Sequence, residues 1–194
     1  MDNNKINEAL EYATKMHQGQ LRKDGTDYIN HPIRVANYVK KFKQSKNLEN
    51  LIISAYLHDT LEDTEATYYD LVEKFGPQVA SIVLELTTDI DFKKELGKTK
   101  YLEIKMKNMS SWALVIKLCD RLDNVSDLIN ADETFKDKYI KETLEIISYL
   151  INNRQLSNTH ITIIKDILKE LSKLNNSEII KEIKLIIEII NNYK

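Results

Sequence analysis

A single cysteine, two prolines and four glycines are all that this chain of 194 residues contains of three structurally decisive types. With Cys119 alone, an internal disulfide framework is excluded, and the usage suits a reducing compartment. So few turn-forming residues argue against sheet folds, which need many tight turns. The opening segment MDNNKINEALEYATKMHQ has no apolar core of the signal-peptide kind, and no apolar run is long enough to span a bilayer. An excess of one charge is also missing: the formal net charge is -2. Nothing global therefore attracts nucleic acid or anionic lipid, and a phosphorylated ligand needs a local basic patch. The expectation is a cytoplasmic protein with neither nucleic acid nor membrane as partner.

What is present is a globular balance, 42% hydrophobic and 30% charged residues, with enough length for one domain and a sizeable core. Ile, Leu, Lys, Glu and Asn dominate, which favours helices joined by short loops. The fold class expected is all-α, a single compact domain over residues 1–194. Apolar periodicity predicts a first helix from Ile6 to His17 and a second opened by Asn30 as N-cap, with Pro32 in its first turn. A third runs from Leu48 to Asp63. Thr67 caps the next, Gly76 stops it and Pro77 starts another that ends near Thr87. Residues 89–98 read as a polar connection, and further helices are expected near 100–108, 112–128, 137–153, 159–174 and 178–192. The apolar lane Ile163, Ile167, Leu171 and Leu174 in the tail 156–194 either closes the domain or forms a homo-oligomer interface.

Four segments carry residues capable of chemistry. In SAYLHDTLEDT, a helix would set His58 four residues from Glu62 and Asp59 four from Asp63, two neighbouring lanes each pairing a metal-type ligand with a carboxylate. A charged helix end with His58 capping or packing reads equally well. In KLCDRLDNVSDL, Asp120, Asn124 and Asp127 form a polar stripe, which alone is more often a solvated face. His31 at a helix start is by itself a cap or a packed ring. Arg22 and Lys23, in a polar loop broken by Gly19 and Asp24-Gly25, are by themselves a surface pair.

Taken together, three blocks resemble the hydrolase domain of RelA/SpoT-type alarmone enzymes, within the HD superfamily. They are HQGQLRKDGTDYINHPIRVA, AYLHDTLEDTEATYYDLVEKFGPQVASIVLELT and VIKLCDRLDNVSDL, in the family's order and approximate spacing, and the likeness covers roughly residues 6–150. The resemblance implies an all-helical fold of about ten helices and one divalent metal ion, generally Mn²⁺. By position the metal ligands fall on His31, His58, Asp59 and Asp120, and the catalytic acidic pair on Glu62 and Asp63. Substrate contacts fall on Arg22, Lys23 and Asn124, with Glu142 and Thr143 in addition. The implied reaction removes pyrophosphate from the ribose 3′ position of ppGpp or pppGpp, giving GDP or GTP. The chain departs from the pattern at Asp123, often histidine in the family, and at Asp127, often threonine.

Two histidines and two carboxylates suit an octahedral, borderline-hard ion better than a structural zinc site, which would draw on cysteines. Cys119 is expected to pack in the core. The length leaves no room for a synthetase domain, so the expectation is a stand-alone hydrolase. The competing functions are an HD phosphohydrolase acting on another nucleotide phosphate ester such as NADPH, and a non-catalytic nucleotide-binding helical module.

Overall fold

A computed structural model of the chain describes residues 2–174 and 177–192. Among the described residues it holds α1 (Asn3–Met16), α2 (Asn30–Phe42), α3 (Leu48–Leu57), α4 (Thr60–Asp63), α5 (Tyr68–Phe75) and α6 (Pro77–Leu86). There follow α7 (Ile90–Leu96), α8 (Lys98–Asn108), α9 (Ser111–Ser126), a 3-10 turn (Asp127–Asn130), α10 (Glu133–Asn153), α11 (Asn158–Ser172) and α12 (Ser177–Asn191). The fold is all-α, as the composition implied; a lone bridge between Leu21 and Asp27 is the β-type pairing among the described residues. Among the described residues no helix is long and apolar enough to cross a membrane.

The chain forms two compact units, Met1–Asp89 with Met109–Asp120, and Ile90–Asn108 with Arg121–Lys194. In the first, α3 is the central element and packs against α1, α2 and α6. Every residue from Leu51 to Leu57 is buried, as expected of a helix apolar all round. Ile6, Ala9 and Ala13 of α1, Val35, Ala36 and Val39 of α2, and Val79, Ala80 and Val83 of α6 complete this core. The α5–α6 corner follows its sequence signals. Thr67 and Asp70 form a reciprocal capping box, a cap worth about 1 kcal/mol. Gly76 takes a positive φ of 88° and Pro77 opens α6.

Two local expectations for this unit are corrected. Asn30 is the first residue of α2 rather than its cap; Ile29 takes the cap position without a side-chain hydrogen bond. The predicted helix 48–63 is broken at His58 and Asp59, leaving α3 and the one-turn α4. The break has a cause in the side chains. His58 Nδ1 bonds the Ala55 carbonyl at 2.8 Å, and Thr60 Oγ1 donates to the Leu57 carbonyl at 2.8 Å. Both carbonyls belong to the last turn of α3, and side chains that claim them end the helix.

In the second unit, the stretch read as a polar connection holds α7, set off from α8 by Gly97 at φ 77°. Phe92 meets Tyr101 edge-on at 6.0 Å, an apolar contact hidden in a sequence otherwise charged. Helix α10 packs on α8, and Arg154 Nη1 donates to the carbonyls of Met106 and Lys107 at 2.8 and 2.9 Å, satisfying the end of α8. Ile163, Ile167 and Leu171 of α11 are buried, with Leu174 half-buried. Ile183, Ile186 and Ile190 of α12 are buried too, and α12 contacts α10 and α11.

Candidate metal centre

The centre lies in the first unit, at the ends of buried elements. His58 follows the last residue of α3, so burial of that helix carries the ring inside; it is 2% exposed. His31 sits in the first turn of α2, followed by Pro32, whose missing N–H forfeits no helical hydrogen bond at a helix start. Asp120 comes from α9, whose neighbours Ile116, Leu118, Cys119 and Leu122 are all buried. One ligand-type atom from each of His31, His58 and Asp120 lies within 4.8 Å of the other two.

Asp59 closes the group. Its Oδ2 is 3.0 Å from His58 Nε2 and 3.7 Å from His31 Nε2, while His31 Nε2 stands 3.2 Å from Asp120 Oδ1. The four residues assigned as ligands from the sequence thus share one buried point. Because the Ala55 carbonyl can only accept, His58 Nδ1 carries the proton and donates it. Nε2 is buried, without a hydrogen-bond partner, and turned towards the Asp59 carboxylate; deprotonated, it offers a lone pair to a cation. Such a lone pair beside two carboxylates is satisfied by a cation, and a divalent ion fits this donor set.

The electrostatics agree. Burial pushes the Asp59 carboxyl up, but the adjoining His58 ring, in its protonated form, outweighs it and holds Asp59 below the usual carboxylate range. For Asp120 burial is likewise overcome, here by the Lys117 ammonium 2.8 Å from Oδ2 and by His31. Both shifts favour the ionised carboxylate. Cys119 is fully buried, and burial raises its thiol pKa; it packs rather than ligates.

Glu62 and Asp63 lie beyond the break, on α4 rather than on a continuous α3. The Glu62 carboxylate accepts from the Thr88 amide at 2.8 Å. Asp63 is directed to Tyr28, whose hydroxyl reaches Asp63 Oδ2 at 3.4 Å and Asp59 Oδ2 at 2.6 Å. Burial, then the charges of Asp59 and Glu62, raise the Asp63 pKa. Burial and the same Asp59 raise that of Tyr28, which stays a phenol. A cleft of about 560 Å³, lined by Lys15, Gln18, Gln20, Glu62, Asp63 and Glu65 among others, opens beside this pair.

Arg22 and Lys23 stand at the tip of a narrow loop between α1 and α2, closed by Arg22 N–H donating to the Thr26 carbonyl at 2.8 Å and Tyr28 N–H to that of Gln20 at 2.9 Å. Arg22 is half-buried and Lys23 exposed. The other expected contacts belong to the second unit. Asn124 is half-buried, one turn beyond Asp120 on α9. Glu142 and Thr143 are buried on α10 and engage Arg121: Nη2 to Glu142 Oε1 at 3.2 Å, Nη1 to Thr143 Oγ1 at 2.9 Å. Sequence reasoning passed over Tyr28, Gln20, His17 and Lys117, although Tyr28 lies only three residues before His31.

The family model described as "HD domain" matches residues 9–155. The chain is 39% identical over 126 residues to the guanosine-3′,5′-bis(diphosphate) 3′-pyrophosphohydrolase MESH1 of Drosophila melanogaster, covering 64% of this chain and 69% of that protein. Against the Homo sapiens protein of the same name, identity is 33% over 171 residues, covering 86% and 92%. A guanosine-3′,5′-bis(diphosphate) 3′-pyrophosphohydrolase of Aquifex aeolicus is 38% identical over 154 residues, and there the chain spans only 21% of the relative's length. It spans 21% of a Myxococcus xanthus GTP pyrophosphokinase as well. A solved structure, described as a metazoan ortholog of SpoT that hydrolyzes ppGpp, superimposes with a TM-score of 0.70 at 30% identity, covering 86% of this chain and 94% of that one.

Proposed function

Because the chain belongs to the HD-domain family, with guanosine-3′,5′-bis(diphosphate) 3′-pyrophosphohydrolases among its relatives, we propose that it hydrolyses the 3′-pyrophosphate of ppGpp or pppGpp to GDP or GTP and pyrophosphate. The observation that carries the reading is the buried cluster of His31, His58 and Asp120 with Asp59 beside it, at which the unpartnered His58 Nε2 is placed to take a cation. His31, His58, Asp59 and Asp120 are the proposed ligands, and Mn²⁺ the proposed ion. When bound, a divalent ion lowers the pKa of water and offsets charge on phosphoryl oxygens.

The protein's own residues do the rest. Asp63, whose carboxyl is held above its ordinary pKa, is suited to take a proton from the attacking water and deliver one to the departing ribose 3′ oxygen. Glu62, anchored by the Thr88 amide, orients that water. Water attacks the phosphorus attached to the 3′ oxygen, the P–O bond to the ribose breaks, and pyrophosphate leaves. Arg22 and Lys23 neutralise phosphate charge, and the Arg22 guanidinium can also stack on a base. Asn124 is proposed as a further nucleotide contact; Glu142 and Thr143 contribute through Arg121, which they hold.

The test mixes purified protein and Mn²⁺ with ppGpp and follows products by ion-exchange chromatography. Equal release of GDP and pyrophosphate, stopped by a chelator, supports the reading and its 3′ regiochemistry. Absence of release from folded, metal-loaded protein rejects that substrate, and NADPH then becomes the first alternative to try.

A further inference from the structure

Tyr28 is not a ligand, yet its side chain touches both halves of the centre. The hydroxyl donates to Asp59 Oδ2 at 2.6 Å, the length of a charge-assisted bond. At 3.4 Å the same hydroxyl faces Asp63 Oδ2. Its ring lies against His17 at 4.8 Å and meets the His31 ring edge-on at 5.9 Å. The phenol oxygen is thereby fixed between a proposed ligand and the proposed proton carrier.

The backbone around it is tied to the same residues. Tyr28 N–H donates to the Gln20 carbonyl, and His31 N–H to the Tyr28 carbonyl at 3.0 Å. The Gln20 carboxamide nitrogen donates to the Asp63 carbonyl at 2.8 Å. Its oxygen end must then face His17, so His17 Nδ1 carries the proton and donates to Gln20 Oε1 at 2.7 Å. Loop, tyrosine and Asp63 form one braced frame, as a preorganised site requires.

We propose that Tyr28 is a positioning residue: its hydroxyl holds Asp59 with Oδ2 towards His31 and His58 and sets the spacing from Asp59 to Asp63, coupling ion binding to the acidic pair. The proposal rests on the divalent-ion reading above. Removing a partner that orients a metal ligand typically costs 10–100-fold in affinity or activity.

The experiment compares wild type with Tyr28→Phe, which keeps the ring between His17 and His31. Mn²⁺ is titrated into metal-free protein and the free ion is read by electron paramagnetic resonance, well below either melting temperature. The expected result is a Kd raised about 10–100-fold. At saturating Mn²⁺, kcat for ppGpp falls while KM is unchanged. A role in packing alone would lower the melting temperature and leave Kd unmoved, and a Kd within about threefold of wild type overturns the proposal. A change confined to KM makes Tyr28 a substrate contact and overturns it equally. Wild type that binds no Mn²⁺ removes the divalent-ion reading itself, whereas equal binding by both proteins leaves that reading intact and removes only the role of Tyr28.

Discussion

Replacing Glu142 by Gln tests whether α10 serves the second unit by stability or by direct recognition. Glu142 and Arg121 are each 4% exposed, paired at 3.2 Å, with the guanidinium 5.0 Å over the Tyr139 ring. Losing one partner of a buried pair leaves an uncompensated charge and costs about 3–5 kcal/mol. Glutamine keeps an oxygen that can accept from Arg121, so the loss should lie near the lower end, about 3 kcal/mol. For a chain of this size that lowers Tm by roughly 6–12 °C. Lys98 also pairs with Glu142, at 3.1 Å, but its side chain is 48% exposed; Lys98→Met should cost under about 1 kcal/mol. Thr143→Val removes the acceptor for Arg121 Nη1 and the donor to the Tyr139 carbonyl, for about 1–2 kcal/mol. Urea unfolding of metal-free protein, followed by circular dichroism, measures all three, and an unchanged m-value assigns each effect to stability. If Glu142→Gln costs no more than Lys98→Met, the buried-pair argument fails. Full stability with a raised KM for nucleotide would make Glu142 a direct contact instead.

Three further outcomes follow from the centre. Asp59→Asn should abolish Mn²⁺-dependent release of pyrophosphate while far-ultraviolet dichroism stays that of the wild type; retained turnover would remove Asp59 from the ligand set. Asp63 has its pKa raised by burial, then by Asp59 and Glu62, so the folded protein holds that proton more tightly than the unfolded chain. Its stability contribution is full below about pH 4 and is lost as pH rises through the raised value. Metal-free Asp63→Asn should therefore melt above wild type at neutral pH, with the gap closing towards about pH 3; a gap independent of pH would contradict the sign. Arg22→Ala with Lys23→Ala should raise KM for ppGpp more at low than at high ionic strength, as expected of partly exposed charges, and equal effects at both would point to a non-electrostatic role.

The grouping of His31, His58, Asp59 and Asp120 was legible only through the family resemblance, since each by itself also reads as a cap or a solvated face. Pro32, Gly76 and Pro77 mark their helix ends by backbone physics, and Thr67 by its side-chain cap. The break after Leu57 was not legible. His58 and Thr60 end α3 through their side chains, and both residue types are also tolerated inside helices. Helix α7 was missed for the opposite reason: its seven residues are mostly charged and none is buried, so no apolar period announced it. Tyr28 was invisible as part of the centre because its partners lie 31 and 35 residues away, a pairing that only the fold creates.

Amide exchange from Leu51 to Leu57 should be among the slowest in the chain, since that helix is buried on every side. His58 is bolted to that slow element. Arg22 and Lys23 stand instead at the tip of a surface loop, the kind of position that tolerates insertion and drift. On the proposed function, ion binding and phosphate contact would thus depend on parts of the molecule with different mutational freedom. Selection could then rewrite the loop tip for another phosphate ester while His58 stays where the buried helix puts it.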